Sequence, residues 1–294
     1  MYRWQKPTKA YFVGKTLVYI TLLLLCLVTV IPVIFVFTVS IRPEIDLTLY
    51  GQTFFPRNLT LDAYRVIFFA GDRIIRALLV TTGLTVAGVS ASLFMNTFVA
   101  YPLSRTYLPY NRVMAFIIYF TVLFSGGLIP WFLMMRFLNL TNLTGIVING
   151  SINAFNIIIF RNFFYQLPDS LEESAKLDGA KDFKIYLRIF LPLSKPVLAT
   201  IGLFTAVGFW NEWFSVLILI PDNRFWTIQL LLRDMLQAGA ALAFVGDGAL
   251  FEGLRPNVTL QMATVVVATL PIMMVYPFAQ KYFVHGMTMG AVKG

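Results

Sequence analysis

The chain has 294 residues, of which 58% are hydrophobic and 13% are charged, and its formal net charge is +9. A soluble domain normally carries about a quarter charged residues, so this composition excludes an ordinary soluble protein and predicts an all-α, polytopic membrane protein. The positive charge does not call for a nucleic-acid partner, because Lys and Arg accumulate in the cytoplasmic loops of membrane proteins.

Six apolar runs are each long enough to cross a bilayer, which takes about 20 residues. The predicted transmembrane spans are 17–40, 74–100, 113–135, 145–164, 197–220 and 258–282. The longer connections between them are 42–73, 165–196 and 221–257. Since neither a soluble domain nor an internal repeat is evident, residues 1–294 are predicted to form a single transmembrane domain.

Basic residues beside the spans predict the orientation of the chain. The segment 1–16 contains Arg3, Lys6, Lys9 and Lys15 and no acidic residue, which favours a cytoplasmic N-terminus. Six spans then place the tail 283–294 in the cytoplasm, and they place the loop 165–196 there as well.

The loop 165–196 contains a charged insert that cannot be a seventh span, because each charged side chain costs about 2.5–3.5 kcal/mol at the bilayer centre. Ser170 and Glu173 have the spacing of a capping box, which predicts a short helix capped by Ser170. Gly179 is predicted to end this helix, because glycine tolerates the left-handed conformation that follows many helix C-termini.

A second short helix is predicted to follow Gly179 and to lie at the cytoplasmic membrane surface. Its apolar side chains recur on one helix face, and they are Phe183, Tyr186, Leu187 and Phe190. Leu191-Pro192 is predicted to stop this helix, and Pro196 suits the first turn of the next span. Two short helices joined by a glycine could transmit motion as a rigid protrusion, but an ordinary interfacial loop fits the pattern equally well.

The same insert resembles the loop that characterises the permease subunits of ABC importers. The matching residues are Glu173-Ser174-Ala175, Gly179 and Ile189-Phe190-Leu191-Pro192. Serine at 174 departs from the family's usual alanine, but it is also small. The stretches FSGGLIP (124–130), VGFWNEWF (207–214) and GMTMGAVKG (286–294) are similar to the carbohydrate-uptake subgroup of the MalG and LplC type.

The resemblance implies the MetI-like fold of type I ABC importers, with a cytoplasmic coupling helix in the loop 165–196. It implies a non-catalytic transport subunit that forms half of the translocation path for an oligosaccharide, with alginate or a related acidic oligosaccharide among the expected cargoes. The expected partners are a second, homologous permease subunit, two ATPase subunits that bind ATP-Mg, a periplasmic or extracellular solute-binding protein and membrane lipid. The expected location is the bacterial inner membrane.

The resemblance also implies which residues contact the ATPase, whose motion would drive alternating access. They are Leu171, Glu172, Glu173, Ser174, Ala175, Asp178 and Gly179. No cofactor or metal is expected in the chain itself.

Polar residues in the fifth predicted span are candidates for contact with a sugar. Asn211 and Glu212 lie between Trp210 and Trp213; aromatic rings can stack on sugars, while amides and carboxylates can bond hydroxyl groups. Interfacial anchoring by tryptophan and hydrogen bonding between helices are the alternatives.

A row of asparagines in the fourth predicted span has the spacing i, i+4, i+7 and shares one helix face. The residues are Asn149, Asn153 and Asn156. They fit helix–helix contact and solute contact equally well, and Asn153 is included among the candidate substrate residues.

Signals for a catalytic site or for another energy source are weak. Gly14-Lys15-Thr16 lacks the glycine that a phosphate-binding loop needs five positions earlier, where Lys9 stands. The alternative function is an ion-coupled secondary transporter, for which Glu212 is the only clear intramembrane carboxylate.

Overall fold

The computed structural model describes residues 9–70, 72–105, 107–244 and 257–291. The described part is helical and contains no strand, which confirms the predicted all-α class. The segments 1–8 and 292–294, which hold parts of the predicted cytoplasmic termini, lie outside the described residues.

The helices of the described residues range from 3 to 34 residues in length. The helices are α1 (Lys9–Ser40), α2 (Glu44–Tyr50), α3 (Asp62–Arg65), α4 (Asp72–Leu103), α5 (Asn111–Leu123), α6 (Leu128–Phe137), α7 (Leu143–Ser151), α8 (Ala154–Tyr165), α9 (Asp169–Leu177), α10 (Asp182–Ile185), α11 (Leu191–Leu193), α12 (Lys195–Trp210), α13 (Phe214–Leu219), α14 (Ile228–Phe244) and α15 (Val258–Ala291). One-turn π-helices at Val66–Ala70 and Tyr186–Phe190 and a 3-10 turn at Asn223–Phe225 complete the set.

Among the described residues, three helices are long and apolar enough to cross a membrane alone, namely Gly14–Ser40 within α1, α4, and Val258–Val275 within α15. Three bent pairs reach the same length and hydropathy only in combination, which gives up to six spans. The pairs are α5 with α6 at 117°, α7 with α8 at 42°, and 182–193 with α12 at 80°. The number of predicted runs equals this upper count, but the third pair covers 182–210, whereas the fifth predicted run is 197–220.

Three of the predicted runs are interrupted in the structure. The third run breaks between Leu123 and Leu128, where Gly127 has a φ of +83° that glycine adopts at little cost. The fourth breaks between α7 and α8, and the fifth stops at Trp210 before α13 begins. The predicted connections 42–73 and 221–257 contain helices of their own, α2 and α3 in the first and α14 in the second.

The chain divides into two compact units, one comprising residues up to 71 with 235–267 and the other comprising 72–234 with 268–294. The predicted single-domain organisation stays a prediction. In the first unit, the Glu44 carboxylate accepts hydrogen bonds from the backbone amides of Val258 and Thr259 at 3.0 and 2.9 Å. A side chain from the connection after α1 thereby caps the N-terminus of α15.

The second unit is built around α4, which packs against α7, α8 and α12. The Phe209 ring lies against glycines of two of these helices, because a Cβ atom added to Gly88 or to Gly150 would stand 2.5 Å from it. Glycine therefore lets α4 and α7 approach the aromatic ring of α12, as small residues do at helix interfaces in membranes.

Gly88→Val is expected to lower the midpoint of thermal unfolding in detergent, because overpacking a helix interface costs about 1–3 kcal/mol. Gly83→Val is the matched control on the same helix, since a Cβ at Gly83 meets nothing within 4 Å. Phe209→Ala in the Gly88→Val background should recover part of the loss. Equal destabilisation by the two valine variants would contradict this packing.

Candidate functional site

The helix α9 begins earlier than the capping-box prediction. It starts at Asp169 behind Pro168, and no side chain caps it. Ser170 lies inside the first turn, so the predicted capping box is wrong. Asp169 and Glu172 instead place negative charge in the first turn, where the helix dipole favours it.

The predicted glycine end of α9 is confirmed. Gly179 has a φ of +74°, and the amide of Ala180 donates to the carbonyl of Ala175 at 2.9 Å while the amide of Gly179 donates to that of Lys176 at 3.0 Å. This pair of bonds is a Schellman motif, in which glycine adopts the left-handed conformation. The chain therefore turns sharply between α9 and α10.

The second predicted helix exists, but its buried face and its end differ from the prediction. Tyr186 and Phe190 are buried, whereas Phe183 is 57% exposed and Leu187 is 40% exposed. A π-turn over Tyr186–Phe190 inserts an extra residue per turn, which rotates the buried face away from the regular spacing. Pro192 does not stop the helix, which continues to Leu193.

A buried arginine connects α9 to the ends of two other helices. The Arg105 side chain is 4% exposed, and its Nη1 donates to Glu172 Oε2 at 2.7 Å. Its Nη2 donates to the carbonyl of Phe164 in the last turn of α8 at 2.9 Å, and its Nε donates to Ser104 Oγ at 3.0 Å. All three guanidinium nitrogens are engaged.

The second oxygen of the Glu172 carboxylate is also engaged. Its Oε1 accepts from Tyr107 Oη at 2.9 Å and from Lys176 Nζ at 2.7 Å. Burial by itself would raise the pKa of the Glu172 carboxyl, but hydrogen bonds from Lys176, Tyr107 and Arg105 hold this pKa below its ordinary value. The carboxylate is therefore ionised at neutral pH, and the stability that these bonds contribute is lost only as the pH falls through the lowered pKa.

The structure sorts the residues expected to contact the ATPase into an inner set and an outer set. Glu172 and Ala175 are buried within the chain. The exposed members are Leu171, Glu173, Ser174, Asp178 and Gly179. An open cleft of about 500 Å³ lies beside this helix, lined by residues that include Arg105, Glu172, Glu173 and Lys176. Their roles as ATPase contacts stay predictions.

A polar cavity of about 320 Å³ lies among α4, α7, α8, α12 and α13. Asn153 and Glu212 of the candidate substrate residues line it, together with Asn149, Asn156 and Ser215. The asparagine row thus faces a cavity, although a helix break interrupts it. The Glu212 carboxylate also accepts from the amide of Ser215 at 2.8 Å, so this side chain caps the start of α13.

The other three candidate substrate residues do not line this cavity. Trp210 is buried, and its indole N–H donates to the carbonyl of Ala268 at 2.9 Å. Trp213 is covered by the guanidinium of Arg233, 3.7 Å from the ring centroid, a cation–π contact. Asn211 is exposed at the C-terminal end of α12. These contacts give Trp210 and Trp213 a packing role.

The sequence-based candidates missed Trp131, which lines a neighbouring cavity of about 560 Å³. Its indole N–H donates to Asn149 Oδ1 at 2.9 Å, which fixes the orientation of the ring. Asn149 and Ser215 line both cavities, so the two are adjacent. The signal that could have pointed here is the pair Gly126-Gly127, because the helix break that these residues permit opens this space.

The break between α7 and α8 is held by Asn96 of α4, which is fully buried. Its Nδ2 donates to the carbonyl of Ser151 at 3.2 Å, and its Oδ1 accepts from the amide of Asn153 at 2.8 Å. Backbone groups freed by a helix break need such partners in a membrane. Asn96 thereby places Asn153 at the cavity wall.

In the described part of the chain, no group of three or more His, Cys, Asp or Glu side chains has the geometry to hold a metal ion. The polar groups of the two cavities are amides, hydroxyls and one carboxylate. Such groups can exchange hydrogen bonds with a solute.

Comparison with known proteins gives matches over almost the full length. A protein-family profile described as "Binding-protein-dependent transport system inner membrane component" matches residues 11–289. The polygalacturonan/rhamnogalacturonan transport system permease protein YtcP of Bacillus subtilis (strain 168) is 41% identical, covering 95% of this chain and 97% of the relative. Protein LplC of the same organism is 39% identical over 91% of this chain and 90% of its own length.

A solved structure is similar in both fold and sequence. The crystal structure of a bacterial ABC transporter involved in the import of the acidic polysaccharide alginate contains a chain that matches with a TM-score of 0.85 and 32% identity, covering 95% of this chain and 99% of that chain. These matches confirm the resemblance inferred from the loop and the three short stretches. The chain therefore belongs to the family of binding-protein-dependent transport system inner membrane components.

Proposed function

We propose that this chain is the permease subunit of an ATP-driven oligosaccharide importer in a bacterial inner membrane. It would form half of the translocation path beside a second permease subunit. One of two partner ATPases would bind α9, and a solute-binding protein would deliver the cargo. Both termini would lie in the cytoplasm.

The observation that carries this proposal is the asymmetry of α9. Glu172 fixes one side of the helix to the chain, while Glu173, Ser174 and Leu177 leave the opposite side open. Leu177 is 89% exposed and extends the outer set beyond the residues expected from sequence. A short helix that is fixed on one side and exposed on the other can bind a partner and can transmit the partner's displacement to the rest of the chain.

The two adjacent cavities of the second unit are the proposed substrate path. Asn153, Asn156 and Glu212 can bond sugar hydroxyls, and Trp131 offers an aromatic ring whose orientation is fixed. Polar side chains deep in membrane proteins usually face such a path.

The proposed cargo is an acidic oligosaccharide, because YtcP is named for polygalacturonan and the solved relative imports alginate. Among the described side chains that line the two cavities, Glu212 is the charged one. The basic side chains that balance the negative charge of a uronate chain would therefore belong to the second permease subunit.

The alternative of an ion-coupled secondary transporter needs an intramembrane carboxylate that is free to bind an ion. Glu212 was the candidate, but its carboxylate caps α13 through the amide of Ser215. The match to a family of binding-protein-dependent transport components also favours ATP as the energy source.

The test is uptake into vesicles that contain the complete complex, with labelled oligogalacturonides, alginate oligosaccharides and neutral arabino-oligosaccharides as probes. We expect uptake of a uronate probe that requires both ATP and the binding protein. A non-hydrolysable ATP analogue is the control. Uptake driven by an ion gradient without ATP would contradict the proposal, and uptake of the neutral probe alone would contradict the cargo class.

A further inference from the structure

The Arg105 guanidinium is a meeting point of four segments of the chain. Arg105 itself follows the end of α4, and it bonds Glu172 of α9 and the carbonyl of Phe164 at the end of α8. Its guanidinium carbon also lies 4.7 Å from the ring centroid of Phe190, in the π-turn that precedes α12. Through this side chain, α9 is attached to the ends of α4 and α8 and to the segment before α12.

The attachment is buried and has few alternative arrangements. The Arg105 and Glu172 side chains are 4% and 6% exposed. Arginine presents its donors in a fixed planar fork, so the bonds to Glu172, Phe164 and Ser104 set one orientation. Removing either charge would leave the other buried without its partner, which strongly destabilises such pairs.

The network extends from Glu172 to the next helix. Lys176 bonds Glu172 and lies 3.5 Å from the carboxylate of Asp182 in α10. Tyr107 bonds Glu172 from the turn after α4. The two short helices of the insert are therefore tied to each other and to the turn after α4 by polar side chains, in addition to the Schellman turn at Gly179.

We propose that Arg105 is a positioning residue that makes α4, α8 and the segment before α12 move with α9 when the partner ATPase displaces it. The pair Arg105–Glu172 would be the internal link, and Glu173 would be the contact that the ATPase grips. This inference rests on the proposed function, since it needs a partner that moves α9. It reassigns Glu172 from an ATPase contact to a transmission residue.

The test needs no identified cargo, because it reads the access of the path itself. In the complete complex, Ser215→Cys serves as a reporter at the junction of the two cavities, in a Cys26→Ser background. A membrane-impermeant maleimide is the probe, and its labelling rate is measured with and without ATP plus vanadate. We expect ATP to change the rate within the roughly 5–150-fold range of typical coupling between sites.

Arg105→Gln is expected to reduce the ATP-dependent change to less than about twofold, below the usual range of such coupling, while the ATPase still co-purifies. Arg112→Gln is the matched control, because Arg112 is exposed and lies seven residues further along. The Arg112→Gln complex should keep the full ATP-dependent change in labelling rate. A full ATP response in Arg105→Gln would overturn the inference, and so would loss of the ATPase from that complex.

Arg105→Gln with Glu172→Gln separates positioning from folding. The pair of amides removes both buried charges and can form a mutual hydrogen bond, so the midpoint of thermal unfolding should return towards that of the parent. The labelling response should stay lost, because one amide at position 105 cannot bond the side chain at position 172, the carbonyl of Phe164 and Ser104 at once. A response that returns together with stability would overturn the inference. Absence of any ATP response in the parent would overturn the proposed function as well.

Discussion

Glu173→Arg is expected to abolish ATP-driven uptake while leaving the chain folded in the membrane. Glu173 is exposed on α9 and takes no part in the network around Arg105, so charge reversal there leaves the internal contacts intact. On the helix itself, arginine gains a like-charged neighbour at Lys176, which costs only about 0.2–0.5 kcal/mol.

The expected loss arises at the partner surface. Juxtaposed like charges at an interface cost several kcal/mol, and each 1.4 kcal/mol is about tenfold in affinity. Co-purification of the ATPase and ATP-dependent uptake of oligogalacturonides are the measurements, and we expect both to fall by at least about tenfold.

Lys184→Glu is the matched control for Glu173→Arg. Lys184 is exposed on α10, so this change also reverses one charge on the insert but does not alter α9. It should keep the ATPase bound and uptake close to that of the parent. Wild-type uptake by Glu173→Arg, with the ATPase still bound, would contradict the proposed contact between Glu173 and the ATPase.

Asn96→Leu is expected to cause a large loss of stability, because it removes the side chain that satisfies the break between α7 and α8. Leucine has a similar volume but offers neither a donor to the carbonyl of Ser151 nor an acceptor to the amide of Asn153. Each buried group left without a partner costs about 1–3 kcal/mol. The expected total for the two groups is therefore about 2–6 kcal/mol.

The measurement for Asn96→Leu is the midpoint of thermal unfolding in detergent. Thr82→Val on the same helix is the control, because the Thr82 hydroxyl is exposed and bonds only the carbonyl of Leu78 among the described contacts. A shift for Asn96→Leu no larger than that for Thr82→Val would show that the break does not depend on Asn96. Uptake should fall along with stability, since Asn153 lines the cavity directly beside the break.

The charged insert shows which kinds of site residue can be predicted from sequence. Gly179 was predicted at the end of α9 because the signal is local, a glycine directly after a helical segment. The capping box failed because Pro168 starts the helix before Ser170, and two competing start signals stand within three residues. Glu172 and Glu173 are adjacent and identical, so nothing in the local sequence says which one is buried.

The candidate substrate residues also show that local sequence does not reveal contacts between distant residues. Trp210 and Trp213 are the residue type expected for sugar contact. In the structure, the indole N–H of Trp210 donates to the carbonyl of Ala268, and the guanidinium of Arg233 covers the Trp213 ring. Trp131 directly follows the stretch FSGGLIP, but the orientation of its ring depends on a bond to Asn149, 18 residues away.

The sequence by itself determined the membrane class, the number of apolar runs, the glycine turn and the family. These follow from hydropathy and turn chemistry, which are properties of neighbouring residues, and from short motifs at fixed spacing. Only the tertiary structure decided that Glu172 faces Arg105, that Asn96 holds the break beside Asn153, and that Trp131 lines a cavity. These arrangements join residues that are 67, 57 and 18 positions apart, and burial selects them only when the helices pack.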